Sequence, residues 1–155
     1  MAPVFLYPCF LMITIATAEE MHQLGVKVSA HLRAGDLVLV NGPLGAGKTV
    51  LAQGVGAGLG IIGITSPTFV ISRVHKAAVP FIHVDAYRLV DSENPNLYLD
   101  DLDLDITGSI TLIEWGGAES ARLSEDRLEI TIDRSDEVRK VEIKPVGSRW
   151  AGFAL

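Results

Sequence analysis

Residues 37–51 read LVLVNGPLGAGKTVL, an apolar run followed by a glycine-rich turn and a lysine. The apolar run is typical of a β-strand that is buried on both faces. The turn fits the pattern G-x-x-x-x-G-K-[ST] from Gly42 to Thr49, in which glycines let backbone amides approach phosphate oxygens closely. A helix is predicted from Lys48 to about Leu59, and its unpaired N-terminal amides favour an anion. The stretch therefore predicts a phosphate-binding loop (P-loop) in an α/β domain that binds ATP or GTP.

The residues predicted to bind the nucleotide form one uninterrupted run. Lys48 is expected to reach the β- and γ-phosphates as a mobile positive charge and is a candidate catalytic residue. Thr49 is expected to bind Mg²⁺ through its hydroxyl. The alternative is a glycine-rich turn beside an exposed lysine, which the buried strand before the motif and the helix after it disfavour. The run comprises Gly42, Pro43, Leu44, Gly45, Ala46, Gly47, Lys48, Thr49 and Val50.

Two other predicted strands end in a carboxylate. Residues 81–85 read FIHVD, and residues 112–114 read LIE. Because ligands of an open parallel sheet lie beyond the carboxyl ends of its strands, Asp85 and Glu114 are expected to face the phosphates. One carboxylate would bind Mg²⁺ and the other would orient the attacking water, so both are candidate catalytic residues. The alternative for each acid is capping of a neighbouring helix or pairing with Arg88.

The rest of the pattern predicts a single α/β domain over residues 12–155. An amphipathic helix is predicted from Thr17, which begins a capping box with Glu20, to about His31. Residues 91–108 are polar and acidic and predict at most a short helix. The last two strands alternate apolar and polar residues, so we expect a mixed, mainly parallel central sheet with antiparallel C-terminal strands. The further strands are predicted over residues 12–16, 68–75, 79–84, 110–113, 127–133 and 138–144.

Two residues close to the carboxylates are expected to be structural. His83 alternates with apolar neighbours on a buried strand and is therefore expected to be a core histidine with its hydrogen bonds satisfied. Trp115 follows Glu114 directly, and packing in the core is favoured over a role on a contact surface.

Composition and charge exclude several classes of protein. The chain has 155 residues and a formal net charge of −6, which disfavours a strongly basic nucleic-acid clamp. Residues 85–126 contain eleven acidic and two basic side chains. They are expected to form a solvated acidic face, and a docking surface for a basic partner is the alternative. The single Cys9 excludes an intrachain disulfide framework and a cysteine-rich zinc cluster, and it favours a reducing compartment.

Residues 1–11 are expected to be a dispensable apolar leader. The run over residues 4–16 is almost wholly apolar, but no lysine or arginine precedes Lys27 and Pro8 interrupts the run. It is also shorter than the roughly 20 residues that a membrane helix needs. A cytoplasmic protein without a membrane segment is therefore expected.

Four motifs in this chain resemble those of the bacterial TsaE family, also called YjeE. They are GPLGAGKT, SPTF, HVDAYRL and IEWG, in this order, and the resemblance extends over residues 12 to about 144. It implies a small ATPase that uses ATP and Mg²⁺ and is needed for threonylcarbamoyl modification of an adenosine in tRNA. It also implies TsaD-like and TsaB-like partners that together form the transferase complex. The acidic charge balance of this chain favours a partner as the protein that holds the tRNA, so tRNA is expected to be contacted indirectly.

The resemblance also implies roles for single residues. Thr49 and Glu114 would bind Mg²⁺, Asp85 would be the other acid needed for hydrolysis, and Thr68 would be a candidate switch residue. One departure is Pro43, where family members usually have aspartate; this position contributes its backbone, so nucleotide binding is expected to survive.

Two other functions remain open from the sequence. A small-molecule kinase would close an arginine-bearing lid over the phosphates, and residues 89–121 contain no lysine or arginine. A non-catalytic nucleotide-sensing assembly factor would need Lys48 but not Asp85. The shortage of arginines in the acidic segment also predicts that the isolated chain hydrolyses ATP slowly.

Overall fold

The computed structural model describes residues 10–65, 71–89 and 93–155, which form seven strands and four helices. The strands are β1 (Leu11–Ile15), β2 (Leu37–Asn41), β3 (Ser72–His75), β4 (Phe81–Asp85), β5 (Ile110–Glu114), β6 (Arg127–Asp133) and β7 (Arg139–Val146). The helices are α1 (Ala18–Ser29), α2 (Lys48–Gly58), α3 (Pro95–Asp101) and α4 (Ala118–Ala121).

All seven strands form one sheet in the order β1-β7-β6-β2-β5-β4-β3. The four central strands β6, β2, β5 and β4 are parallel neighbours, whereas β1, β7 and β3 pair antiparallel at the two sides. The prediction of a mixed α/β sheet with a parallel centre is thus confirmed. One detail differs, because β6 pairs antiparallel with β7 but parallel with β2. The carboxyl end of β6 therefore lies beside that of β2.

Most element boundaries differ from the predicted ones by one or two residues. Leu11, which the sequence assigned to the leader, is the first residue of β1 and pairs with Ile143 of β7. Residues 1–9 lie outside the described residues. The strand predicted over residues 68–75 is described only as β3, and residues 68–70, including the candidate switch residue Thr68, also lie outside them.

Helices α1 and α2 cross in close contact over one face of the sheet. A Cβ at Gly54 of α2 would collide with the backbone carbonyl of His22, and one at Gly25 of α1 would collide with that of Leu51. The backbones of the two helices therefore touch without intervening side chains. The predicted capping box begins α1, since Thr17 Oγ1 accepts a hydrogen bond from the Glu20 amide at 3.1 Å.

The alternation of side chains along β4 and β5 determines which residues reach the site. The apolar Phe81 and Leu112 belong to the cluster beneath α1 and α2, whereas Ile82 and Ile113 belong to the cluster on the opposite face. His83 and Asp85 follow Phe81 at intervals of two, so they share its face, as Glu114 shares the face of Leu112. No helix in the described ranges has the length and apolar character needed to cross a membrane.

Candidate functional site

The loop between β2 and α2 turns where only glycine fits without strain. Gly47 has a φ of 109°, and a Cβ there would contact the Met21 side chain of α1 at 3.4 Å. Gly42 has a φ of 157°, and a Cβ there would lie only 2.7 Å from the carbonyl oxygen of Ile132. Because Gly47 precedes α2 and provides no side-chain cap, the first amides of that helix are available to an anion.

Lys48 is folded back onto its own loop. Its ammonium Nζ donates hydrogen bonds to the carbonyl oxygens of Gly42 and Pro43, both at 2.7 Å, and the residue is only 5% exposed. Burial lowers the pKa of Lys48 from its usual value, and the carboxylates of Glu114 and Asp85 oppose this shift. The ammonium is thus desolvated and held by neutral carbonyl groups, which anionic oxygens could replace.

Glu114 ends β5 as a buried carboxylate with a different partner on each oxygen. The Thr49 hydroxyl donates to Oε1 at 3.0 Å, and His83 Nε2 lies 2.5 Å from Oε2. Since Glu114 is 2% exposed, these bonds compensate for the loss of water around its charge. Thr49, Glu114 and His83 therefore form one hydrogen-bonded group.

Asp85 ends β4 directly opposite Glu114 in the parallel register. Its Oδ1 accepts a hydrogen bond from the Tyr87 amide at 3.0 Å and so caps the short 3₁₀ turn over residues 87–89. Capping, the alternative raised for this acid, is thus observed, whereas no ion pair with Arg88 occurs among the described residues. Capping does not remove Asp85 from the site, because its side chain also lines the pocket.

Trp115 lines the pocket beside Lys48. Its φ of 61° is unusual for a residue other than glycine, and its indole ring lies 4.1 Å from Lys48 Nζ. The ring of Tyr87 packs against it at 5.0 Å between centroids. Trp115 is half-buried and packs against the apolar cluster that contains Ile82 and Ile113, as expected, but it also lines the pocket, which was not expected.

These residues surround a pocket of about 340 Å³ beyond the carboxyl ends of the central strands. The structure thus brings the predicted catalytic and metal-binding residues together, although they come from three separate segments. Of the other loop residues, Gly42 and Pro43 accept hydrogen bonds from Lys48 through their carbonyl oxygens, and Ala46 is buried. The pocket is lined by Leu44, Gly45, Gly47, Lys48, Thr49, Val50, Asp85, Glu114 and Trp115.

Three contacts at this site were not predicted. Arg134, just after β6, donates to the carbonyl oxygen of Leu44 at 2.5 Å, and Arg139 of β7 donates to that of Gly45 at 3.4 Å. The bond from His83 to Glu114 was likewise missed, because His83 was expected to be purely structural. It does lie fully in the core, but its Nε2 bonds to a residue of the site.

The polar groups at the site fit the phosphates of a nucleotide together with a cation that prefers oxygen ligands. Helix amides and a desolvated ammonium suit phosphate oxygens, while a hydroxyl and carboxylates are the oxygen ligands that Mg²⁺ prefers. Among the described residues, no group of three or more His, Cys, Asp or Glu is placed to hold a metal. A cation at Thr49 and Glu114 would therefore take its remaining ligands from phosphate and water, as is usual for Mg²⁺.

Comparisons with known proteins identify the family. The family model "Threonylcarbamoyl adenosine biosynthesis protein TsaE" matches residues 15–141. A tRNA threonylcarbamoyladenosine biosynthesis protein TsaE from Streptomyces coelicolor is 48% identical, covering 84% of this chain and 94% of that protein. The protein of the same name from Bacillus subtilis is 35% identical, covering 85% of this chain and 84% of that protein.

A crystal structure of YdiB from Bacillus subtilis has a closely similar fold. Its TM-score is 0.76 at 29% identity, and the match covers 92% of this chain and 90% of that one. The family resemblance carried by the four motifs is thereby confirmed. With a family model matching most of its length and relatives above 30% identity, the chain belongs to the TsaE family of threonylcarbamoyl adenosine biosynthesis proteins.

Proposed function

We propose that this chain is a Mg²⁺-dependent ATPase that supports threonylcarbamoyladenosine modification of tRNA together with TsaD-like and TsaB-like proteins. The observation that carries the ATPase is the convergence of Lys48, Thr49, Asp85 and Glu114 on one pocket at the start of α2. Membership of the TsaE family supports the place in tRNA modification. The choice of ATP over GTP follows from the family resemblance.

Phosphate binding would begin with the loop amides and Lys48. The ammonium would exchange the carbonyl oxygens of Gly42 and Pro43 for oxygens of the β- and γ-phosphates, which carry formal charge and form stronger hydrogen bonds. Because Lys48 is only 5% exposed and its ammonium is bonded to two carbonyl oxygens, the ammonium has lost much of its hydration before the ligand arrives. Little further desolvation is then needed to bring the charge against the phosphates.

Thr49, Glu114 and Asp85 would divide the remaining tasks. Mg²⁺, when bound, neutralises negative charge on the phosphate oxygens in the transition state. Thr49 Oγ1 and Glu114 Oε1 lie 3.0 Å apart, and both oxygens would bind the cation. Asp85, at the end of the adjacent strand, would orient the attacking water and accept its proton.

The isolated chain is expected to hydrolyse ATP slowly. Among the described residues, Lys48 is the only lysine or arginine that lines the pocket. Arg134 and Arg139 instead donate to carbonyl oxygens of the loop. A second positive charge at the γ-phosphate typically accelerates phosphoryl transfer by about 10³-fold or more, so its absence is expected to slow hydrolysis.

Binding can be measured through Trp115. When Lys48 moves to a phosphate, the indole loses the ammonium that lies 4.1 Å from its centre, so its fluorescence should change and saturate as MgATP is added. Trp115→Phe should abolish the signal, and Lys48→Ala should weaken binding roughly tenfold or more. A wild-type chain that shows neither a fluorescence change nor calorimetric binding would contradict the proposal.

Hydrolysis separates an ATPase from a nucleotide sensor. Asp85→Asn removes the negative charge but keeps the shape and an oxygen that can still accept from Tyr87, so nucleotide binding should persist. Hydrolysis should fall by about 100-fold or more, as expected for loss of a general base. Unchanged hydrolysis in this variant would contradict the role of Asp85.

The partners can be tested by co-purification. The chain should bind the TsaD-like and TsaB-like proteins more strongly when ATP and Mg²⁺ are present, and Lys48→Ala should lose that dependence. Binding that is equal with nucleotide and with EDTA would argue against a nucleotide-controlled complex.

A further inference from the structure

We propose that His83 is a positioning residue that fixes the Glu114 carboxylate so that its other oxygen faces Thr49 and the cation site. The inference rests on the proposed Mg²⁺-nucleotide function and deepens it. It assigns a task to a buried histidine that neither phosphate binding nor water activation uses.

The sheet register brings the two side chains together. His83 of β4 lies opposite Leu112 of β5, and Glu114 is two residues further along β5 on the same face. Nε2 of His83 bonds to Oε2 of Glu114, while Oε1 accepts from the Thr49 hydroxyl at 3.0 Å. One carboxylate oxygen is therefore held by the sheet, and the other is directed towards the first turn of α2.

The imidazole of His83 is enclosed by the core. His83 is 0% exposed, and its ring stacks on Phe81 at 6.3 Å between centroids. Since a carboxylate oxygen can only accept, the ring must carry a proton on Nε2. Nδ1 has no hydrogen-bond partner within the described part of the chain, so the bond to Glu114 is the polar contact found for this side chain. A fixed donor on a rigid strand determines where the carboxylate points.

Orientation matters because several rotatable bonds separate the Glu114 carboxylate from the strand backbone. If Glu114 lost this hydrogen-bond donor, its side chain would gain rotational freedom. Cation binding would then have to order the side chain, and the free-energy cost of that ordering would lower the affinity for the cation. Histidine–carboxylate contacts next to metal ligands typically change metal affinity by 10- to 100-fold when they are removed. Phosphate binding through Lys48 and the loop amides does not involve this contact and should be unaffected.

Two amide variants provide a matched pair. The side-chain nitrogen of glutamine extends from the backbone about as far as Nε2 of histidine, whereas that of asparagine reaches only as far as Nδ1. His83→Gln can therefore restore a donor to Glu114, and His83→Asn cannot. Because both variants bury one amide, a general loss of stability should affect them similarly.

The experiment measures affinity for a non-hydrolysable ATP analogue in EDTA and in excess Mg²⁺, and the affinity for Mn²⁺ by electron paramagnetic resonance. In His83→Asn, Mn²⁺ affinity should fall about tenfold or more while analogue affinity in EDTA stays at the wild-type level. In His83→Gln, Mn²⁺ affinity should stay within about threefold of wild type. His75→Gln is the control: His75 also stacks on Phe81, at 6.0 Å, but lies on the edge strand β3 and does not line the pocket.

Three results would overturn the inference. The first is wild-type Mn²⁺ affinity in His83→Asn, and the second is equal weakening in the asparagine and glutamine variants. The third is a parallel loss of analogue affinity in EDTA, which would indicate a purely structural role. A wild-type chain whose analogue binding does not depend on a divalent cation would instead contradict the proposed function, and the inference would fall with it.

Discussion

The two sides of the P-loop are supported in different ways. On the inner side, α1 and α2 cross with their backbones in direct contact at Gly25 and Gly54. On the outer side, the β6–β7 hairpin places the backbone of Ile132 against the start of the loop at Gly42, and it contacts the loop tip at Leu44 and Gly45 through the guanidinium groups of Arg134 and Arg139. Steric contact permits almost no movement, whereas exposed side-chain hydrogen bonds can break and reform. Steric contact therefore fixes α2 and the start of the loop, whereas hydrogen bonds from the two arginines restrain the loop tip at Leu44 and Gly45.

The largest expected effect comes from breaking the inner support. Alanine at an exposed position within a helix is normally more stable than glycine by about 1 kcal/mol. At Gly54 the new Cβ would collide with the backbone carbonyl of His22, which cannot move aside like a side chain. Gly54→Ala should therefore lower the free energy of unfolding by roughly 2–3 kcal/mol, measured by urea denaturation.

Gly60→Ala is the matched control. Gly60 has a φ of 83° but no atom within 4 Å of the position of a Cβ, so only backbone strain opposes alanine there. That strain costs about 1 kcal/mol. If Gly54→Ala destabilises the chain no more than Gly60→Ala does, the inner side is not close-packed and the comparison fails.

A smaller effect is expected when the outer support is removed. Arg134 is exposed, so Arg134→Ala should change the free energy of unfolding by less than about 1 kcal/mol. Hydrogen exchange at the amides of residues 44–47 should nevertheless accelerate, because the carbonyl of Leu44 loses its donor. Lys140→Ala is the control, since Lys140 lies on the same hairpin and pairs with Asp136 at 3.1 Å instead. Equal exchange in both variants would show that the arginine does not restrain the loop.

The inner elements could be predicted because consecutive residues encode them. Residues 37–51 specify a buried strand, a glycine turn and a helix start, and each of these forms where it was expected. The strand-end positions of Asp85 and Glu114 followed in the same way, since each acid ends an apolar run. Only the rule that parallel strands end at one edge was needed to bring the two acids together.

The contacts between distant segments could not be predicted. The bond from His83 to Glu114 depends on the register of β4 against β5, and a slip of one residue would send the two side chains to opposite faces. The contact of Arg134 with the loop depends on β6 lying next to β2, whereas the sequence indicated only an antiparallel partner for β6. An arginine directly after a strand was a usable signal, but only once the neighbour of that strand was known.

The smallest expected effect concerns the turn that holds Arg134. Hydrogen bonds from the backbone amide and hydroxyl of Ser135 lower the pKa of the Asp133 carboxyl, and Ser135 N lies 2.8 Å from Asp133 Oδ1. A carboxyl whose pKa is lower in the folded chain stabilises it at pH values above its unfolded pKa of about 3.9. That contribution is lost as the pH falls through the folded-state value. The melting temperature of the wild type relative to Asp133→Asn should therefore be constant from pH 7 to about 5 and decrease below about pH 4.

Asp133→Asn isolates the charge, because its amide oxygen can still accept the hydrogen bond from Ser135. Arg134 is exposed, so protonation of Asp133 is expected to loosen its contact with the loop. Acid should then accelerate amide hydrogen exchange at residues 44–47 beyond the intrinsic pH effect. The acceleration should be larger in the wild type than in Asp133→Asn. Asp133 lies outside the crossing of α1 and α2, so exchange inside those helices should show no difference between the wild type and Asp133→Asn. A matching change in both places would mean that the two sides of the loop open together, and the distinction between them would be lost.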